Sequence, residues 1–192
     1  MLYINQLEHR DVPYHHNTDH GGSSPENSNV ATSGCGLCSL CMIVDHLTVK
    51  HLELAECVRL SEENHANRNP GTDLRILSPV VAQMFDLDYK FSDSAKELAR
   101  WLQEGGEAVC NVMGHYEGRG GIFSDGGHYI VVVSYDGKEV CILDPDYSRE
   151  KYVTEERKDK VRVDAPFLYC SMDTLMFSAA YWSPKFYLFR RK

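Results

Sequence analysis

Apolar residues in the first half of the chain recur at helical intervals, whereas those of the second half crowd into short β-rich runs. Leu37, Leu40, Cys41, Val44 and Leu47 predict a helix of about three turns with one face buried, and Ser33 stands as its N-cap. A second helix is expected over roughly His51 to Leu60. Ser78-Pro79 reads as the cap and first position of a short helix ending at Phe85. Ser94 and Glu97 form a capping box ahead of Leu98, Trp101 and Leu102, and Gly105-Gly106 stops that helix.

Beyond Gly106 the pattern changes. Ala108 to Met113 is a candidate strand, and a glycine-rich loop follows from Gly114 to Gly127. Tyr129 to Val133 and Val140 to Leu143 flank Asp136-Gly137, a hairpin signal. Arg149 to Lys160 is charged and reads as solvated, Ser171 to Ala179 as a helix, and Lys185 to Phe189 as a closing strand. These elements predict an α+β protein: one domain over 1–192, with a mainly helical lobe (1–106) and a mainly β lobe (107–192).

Composition narrows the function. The chain carries 28 acidic against 20 basic residues, and its basic residues form no long stripe, which argues against nucleic-acid binding. No apolar run approaches the roughly 18 residues of a membrane span, and the first residues lack a signal-peptide pattern. Seven cysteines, an odd number without a secretory signal, are expected to be reduced, in a cytoplasmic setting.

One of those cysteines has a distinctive place. Gly34-Cys35-Gly36 runs from a polar loop into a helix, where unpaired N–H groups and the helix dipole favour thiolate over thiol. A cysteine nucleophile needs an imidazole, itself oriented by a third group. Of nine histidines, His128 alone opens the most hydrophobic strand, directly after Gly126-Gly127. A three-residue Tyr135-Asp136-Gly137 turn pairs Ser134 with Lys138 and sets His128 directly opposite Asp144, at about 4.5–5.5 Å between Cβ atoms. A two-residue turn would put the two side chains on opposite faces unless a bulge compensates.

Taken together, these residues resemble the bacterial papain-like cysteine peptidases related to double-glycine leader peptidases. The matching pieces are Val12-Pro13-Tyr14, Ser33-Gly34-Cys35-Gly36, Gly126-Gly127-His128-Tyr129 and Leu143-Asp144-Pro145. The resemblance implies a papain-like fold in which the helical lobe carries Cys35 as nucleophile. The β lobe would carry His128 as general base, with Asp144 orienting it. It further implies a peptide or protein substrate, hydrolysed through an acyl-thioester with no metal and no cofactor. The family places a glutamine upstream to bind the oxyanion; here Asn17 stands three residues after Tyr14. Leu37 and Cys38 stand where the family has proline and a small hydroxyl residue.

Two other readings compete. Cys35-Gly36-Leu37-Cys38 is a C-x-x-C at a helix start, as in thiol-disulfide oxidoreductases, although the segment before it is polar rather than a buried strand. A papain-like protein that binds peptides without cleaving them is the other. Metal binding by Cys35, Cys38 and Cys41 is disfavoured, because steps of three along a helix rotate the thiols away from one point. The loop 114–127 is expected to border the cleft and to move as substrate enters.

Overall fold

A computed structural model describes residues 1–15, 28–68 and 71–192. Its centre is a seven-stranded sheet, built from β1 (Leu87–Ser92), β2 (Glu107–Val112), β3 (His128–Tyr135), β4 (Glu139–Leu143), β5 (Arg162–Asp164), β6 (Phe167–Ser171) and β7 (Phe186–Arg191). The spatial order is β1-β7-β2-β3-β4-β6-β5, and every pairing is antiparallel. The last strand thus lies between β1 and β2, which ties the C-terminal end into the middle of the chain.

Alternate residues along the strands feed two separate cores. Val109, Val131, Tyr187 and Phe189 pack with α2 (Cys35–Leu47), α3 (Leu54–Glu63) and α4 (Leu74–Met84). Cys110, Ile130, Val132, Phe186 and Leu188 pack instead with α5 (Ala95–Gln103) and α6 (Met172–Ser178). Covering both faces explains why β3 reads as a continuous apolar run rather than an alternating one. The α+β, papain-like class expected from the sequence is the one observed. Among the described residues no helix is long and apolar enough to cross a membrane.

Several boundaries differ from the sequence reading, each for a local reason. A single turn, α1 (Val30–Ser33), precedes α2 and is closed by a capping box between Asn29 and Thr32. Ser33 therefore ends α1, and Gly34 is the N-cap of α2, without a side-chain cap. Helix α3 starts later than expected, at Leu54. Helix α4 starts earlier, because the Asp73 carboxylate accepts the Arg75 N–H at 3.0 Å. Burial of Leu74, Leu77, Val81 and Ala82 carries α4 through Pro79, which sits inside the helix rather than at its start. Strand β1 was not expected; Leu87, Tyr89 and Phe91 alternate correctly, but this is an edge strand with Phe91 exposed. Ser94 caps α5 as predicted, while the Glu97 carboxylate turns to Lys90 and Ser92 instead of closing the box.

The β3–β4 hairpin also departs from its expected register. Tyr135 pairs with Val140 and Ser134 with Cys141, not Lys138. The Asp136 carboxylate accepts the N–H groups of Lys138 and Glu139, both at 2.7 Å, and so pulls one more residue into the turn. A bulge between Val132 and Ser134 then shifts the ladder, leaving Val132 opposite Ile142 and Val131 opposite Leu143.

Helix α2 is buried on nearly all sides: Leu37, Leu40, Met42, Ile43 and Val44 have no exposed surface. That burial fixes the position of its first residue, Cys35. At the joint between α1 and α2, a Cβ on Gly34 would stand 2.5 Å from Val30 Cγ1 and 2.6 Å from the Val30 carbonyl oxygen. Gly34→Ala should therefore cost about 1–3 kcal/mol, read as a lower urea midpoint at unchanged slope. A loss smaller than ~0.5 kcal/mol would show that the joint is not tightly packed.

Candidate active site

Cys35 is the first residue of α2, half-buried, with its backbone in the first helical turn. Gly36 lets that turn press against the sheet, since a Cβ there would lie 3.1 Å from Thr72 Cβ and 3.3 Å from a ring carbon of Tyr129. The approach brings Cys35 to the neighbour of Tyr129, His128, which opens β3 and pairs with Val112 of β2. Both line one cleft of about 320 Å³, whose edge also holds the Asp73–Arg75 pair and Trp182.

His128 is buried and its ring hydrogen-bonds Asp144, while Cys35 lines the same cleft. The Nε2–Oδ1 distance to Asp144 is 2.7 Å. Burial alone would pull this imidazole's pKa down; the Asp144 charge, its hydrogen bond and the contact with Cys35 raise it to about 9. His128 and Asp144 are not directly opposite, as the expected register had them. Extending the observed ladder puts Ile130 across from position 144, and His128 two residues further along on the same face. The bulge restores the parity that the longer turn would have lost.

Asp144 follows β4 and is fully buried behind the cleft. Oδ1 also accepts the Asp146 N–H at 2.9 Å. Oδ2 accepts Lys151 Nζ at 2.7 Å and the Tyr152 hydroxyl at 2.5 Å. Burial by itself would raise the carboxyl pKa, but the charges of His128 and Lys151 hold it well below the usual carboxylate range. Burial beside that carboxylate pushes the Tyr152 phenol well up, so it stays a donor. The N-terminal segment straps the same turn: Tyr3 Oη donates to the Asp144 carbonyl at 2.8 Å, and the Gln6 N–H to the Pro145 carbonyl at 2.7 Å.

Lys151 and Tyr152 lie in the charged run 149–160, which is expected to be solvated. In the fold Tyr152 and Arg157 are buried, and the Lys151 side chain is 8% exposed. Tyr152, an aromatic residue inside a charged run, was the available signal. Arg157 also pins the loop 114–127, donating to the Gly121 carbonyl at 2.9 Å and pairing with Asp125. Ile122 and Phe123 of that loop are buried in the core, and its Gly127 lines the cleft. Asn17 lies outside the described residues. The Val12–Tyr14 segment pairs with Ser28–Val30, and the buried Tyr14 hydroxyl meets Ser61 and Thr72 at 2.7 and 2.8 Å. Cys38 is fully buried, and burial pushes its thiol pKa well up.

This architecture has a counterpart among solved structures. A crystal structure from Bacillus anthracis, described as that of a candidate C39-like peptidase, superposes with a TM-score of 0.59. The match covers 100% of this chain and 94% of that one, at 13% sequence identity. The chain has a C39-like peptidase fold. At that identity the likeness concerns the fold alone. No protein-family model and no curated protein matches the sequence. Within the C39-like fold, Cys35 opens the buried helix, and His128 and Asp144 come from the adjoining hairpin.

Removing the carboxylate would leave Lys151 and the protonated imidazole without their shared partner. Asp144→Asn should lose about 3–5 kcal/mol at pH 6 in urea unfolding. The pH dependence has a definite sign. A raised folded-state pKa at His128 gives stability that is fully present below its unfolded value of about 6.5 and is lost as pH rises through about 9. The gap between wild type and Asp144→Asn should therefore narrow on going from pH 6.5 to 9.5. A gap that stays constant or widens would contradict the assigned charge states.

Proposed function

We propose that this protein is a cysteine peptidase that cleaves a peptide or protein substrate with Cys35, His128 and Asp144. The observation that supports this most is the meeting of Cys35 and His128 in one cleft, with Asp144 buried behind the imidazole at 2.7 Å. The Cys35 thiolate attacks the amide carbonyl carbon, forming a C–S bond. His128 then gives its proton to the departing amine as the C–N bond breaks, leaving an acyl-thioester. Water attacks the thioester, and His128 takes its proton while the C–S bond breaks. The carboxylate product leaves, and thiolate and imidazolium are restored. Asp144 keeps the ring oriented and balances its charge throughout.

The oxyanion needs donors, and the Cys35 backbone N–H at the helix start is one in this reading. Asn17 is proposed as the second. We read 1–192 as one domain working in the cytoplasm without a cofactor. The burial of Cys38 counts against a disulfide-exchange role for the Cys35–Cys38 pair, because exchange requires an accessible thiolate.

Hydrolysis of casein and of a fluorogenic peptide panel tests the reading. Cys35→Ala should abolish cleavage, His128→Ala should lower it by about 10²–10⁴-fold, and Cys38→Ala should retain it. Activity surviving Cys35→Ala would refute the nucleophile. Loss of activity in a folded Cys38→Ala variant would favour the redox pair instead. A wild-type chain that binds peptides and cleaves none would be a binding module.

A further inference from the structure

Only one oxygen of the Asp144 carboxylate faces the imidazole. The other is held by Lys151 Nζ at 2.7 Å and the Tyr152 hydroxyl at 2.5 Å. Lys151 is itself fixed, donating to the Asp146 carbonyl at 2.9 Å and approaching the Asp146 carboxylate at 3.2 Å. A lysine with 8% of its side chain exposed is rare unless its charge has a partner, and here the partner is a carboxylate with no exposed surface. We infer that Lys151 is a positioning residue of this site, which anchors the Asp144 carboxylate and sets how tightly His128 holds its proton.

The inference rests on His128 being the base of the proposed reaction, and it deepens that reading. The groups that face the imidazole–carboxylate pair are Cys35 from α2, Tyr3 from the N-terminal segment, Asp146 beyond β4, and Lys151 with Tyr152. In the thiolate–imidazolium state Cys35 and Asp144 carry two negative charges, and His128 and Lys151 two positive ones; the half-exposed Asp146 carboxylate adds a further negative charge beside Lys151. Without Lys151 the Asp144 carboxylate would act on the imidazolium unopposed, and Asp146 would add to its pull. His128 would then keep its proton to higher pH. A general acid that holds its proton too firmly releases it slowly to the leaving amine. Lys151 thus moderates the pull of Asp144 while preventing the carboxylate from turning away.

Following the His128 ring ¹⁵N shifts against pH by NMR separates this role from a packing role. In Lys151→Met the His128 midpoint should rise by about one pH unit, with the alkaline limb of peptide hydrolysis moving the same way. Lys151→Gln keeps a hydrogen-bond donor without the charge, should shift alike, and carries the test if the Met variant does not fold by near-UV circular dichroism. Lys151→Arg restores the charge and should titrate close to wild type. A midpoint unchanged or lowered in a folded neutral variant overturns the inference, since a merely structural lysine would change stability without moving the titration. The ring titration needs no turnover. A chain that shifts as expected yet hydrolyses no peptide would defeat the peptidase reading and leave the charge coupling in place.

Discussion

A carboxylate with no exposed surface dictates the arrangement of this site. Asp144 can stay ionised in the interior only if its charge is balanced and its oxygens are occupied. Both conditions are met from separate parts of the chain. His128 comes from the sheet, Lys151 and Tyr152 from the segment after the hairpin, and the turn itself supplies the Asp146 N–H. The constraint runs outward from there. Tyr3 and Gln6 hold the backbone of the turn, while Arg157, six residues after Lys151, fastens the glycine-rich loop that leads into His128. The segment from Asp144 to Arg157 thus meets the N-terminal residues, the glycine-rich loop and the sheet around one buried charge.

The thiol is positioned by a different force. Helix α2 is held by apolar burial rather than by charge; at its start Gly36 lets the backbone come close to Tyr129 of the sheet, and Gly34 leaves no room for a side chain against Val30 of α1. The sheet in turn is rigid because both its faces are covered. Cys35 and His128 therefore meet through packing, and His128 and Asp144 through electrostatics. This division explains why the two halves of the proposed machinery depend on different kinds of residue.

Much of this was legible in the sequence. The α+β class, the helix behind Cys35 and the strand behind His128 followed from periodicity and glycines, whereas the pairing of Asp144 with that imidazole was expected from a three-residue turn and a directly opposed register that the hairpin does not have. The hairpin register was not legible, because two local events offset each other. The Asp136 side chain lengthened the turn, and a bulge near Val133 returned Asp144 to the imidazole's face. Lys151 and Tyr152 were hidden for another reason. A charged stretch is normally solvated, and only the tertiary fold reveals a buried carboxylate waiting for a cation. Pro79 misled as a helix start because burial of Leu74 and Leu77 outweighs the hydrogen bond that proline forfeits.

Direct capture of an acyl-enzyme tests the central claim, that these charges and this packing make one thiol of seven a nucleophile. The chain would be mixed with p-nitrophenyl acetate, acid-quenched, and mapped by peptide mass spectrometry. A burst of p-nitrophenol equivalent to the enzyme present is expected, with a single acetyl group on the peptide containing Cys35 and both lost in His128→Ala. Acetylation spread over several cysteines, or a Cys35 that reacts equally well without His128, would contradict it.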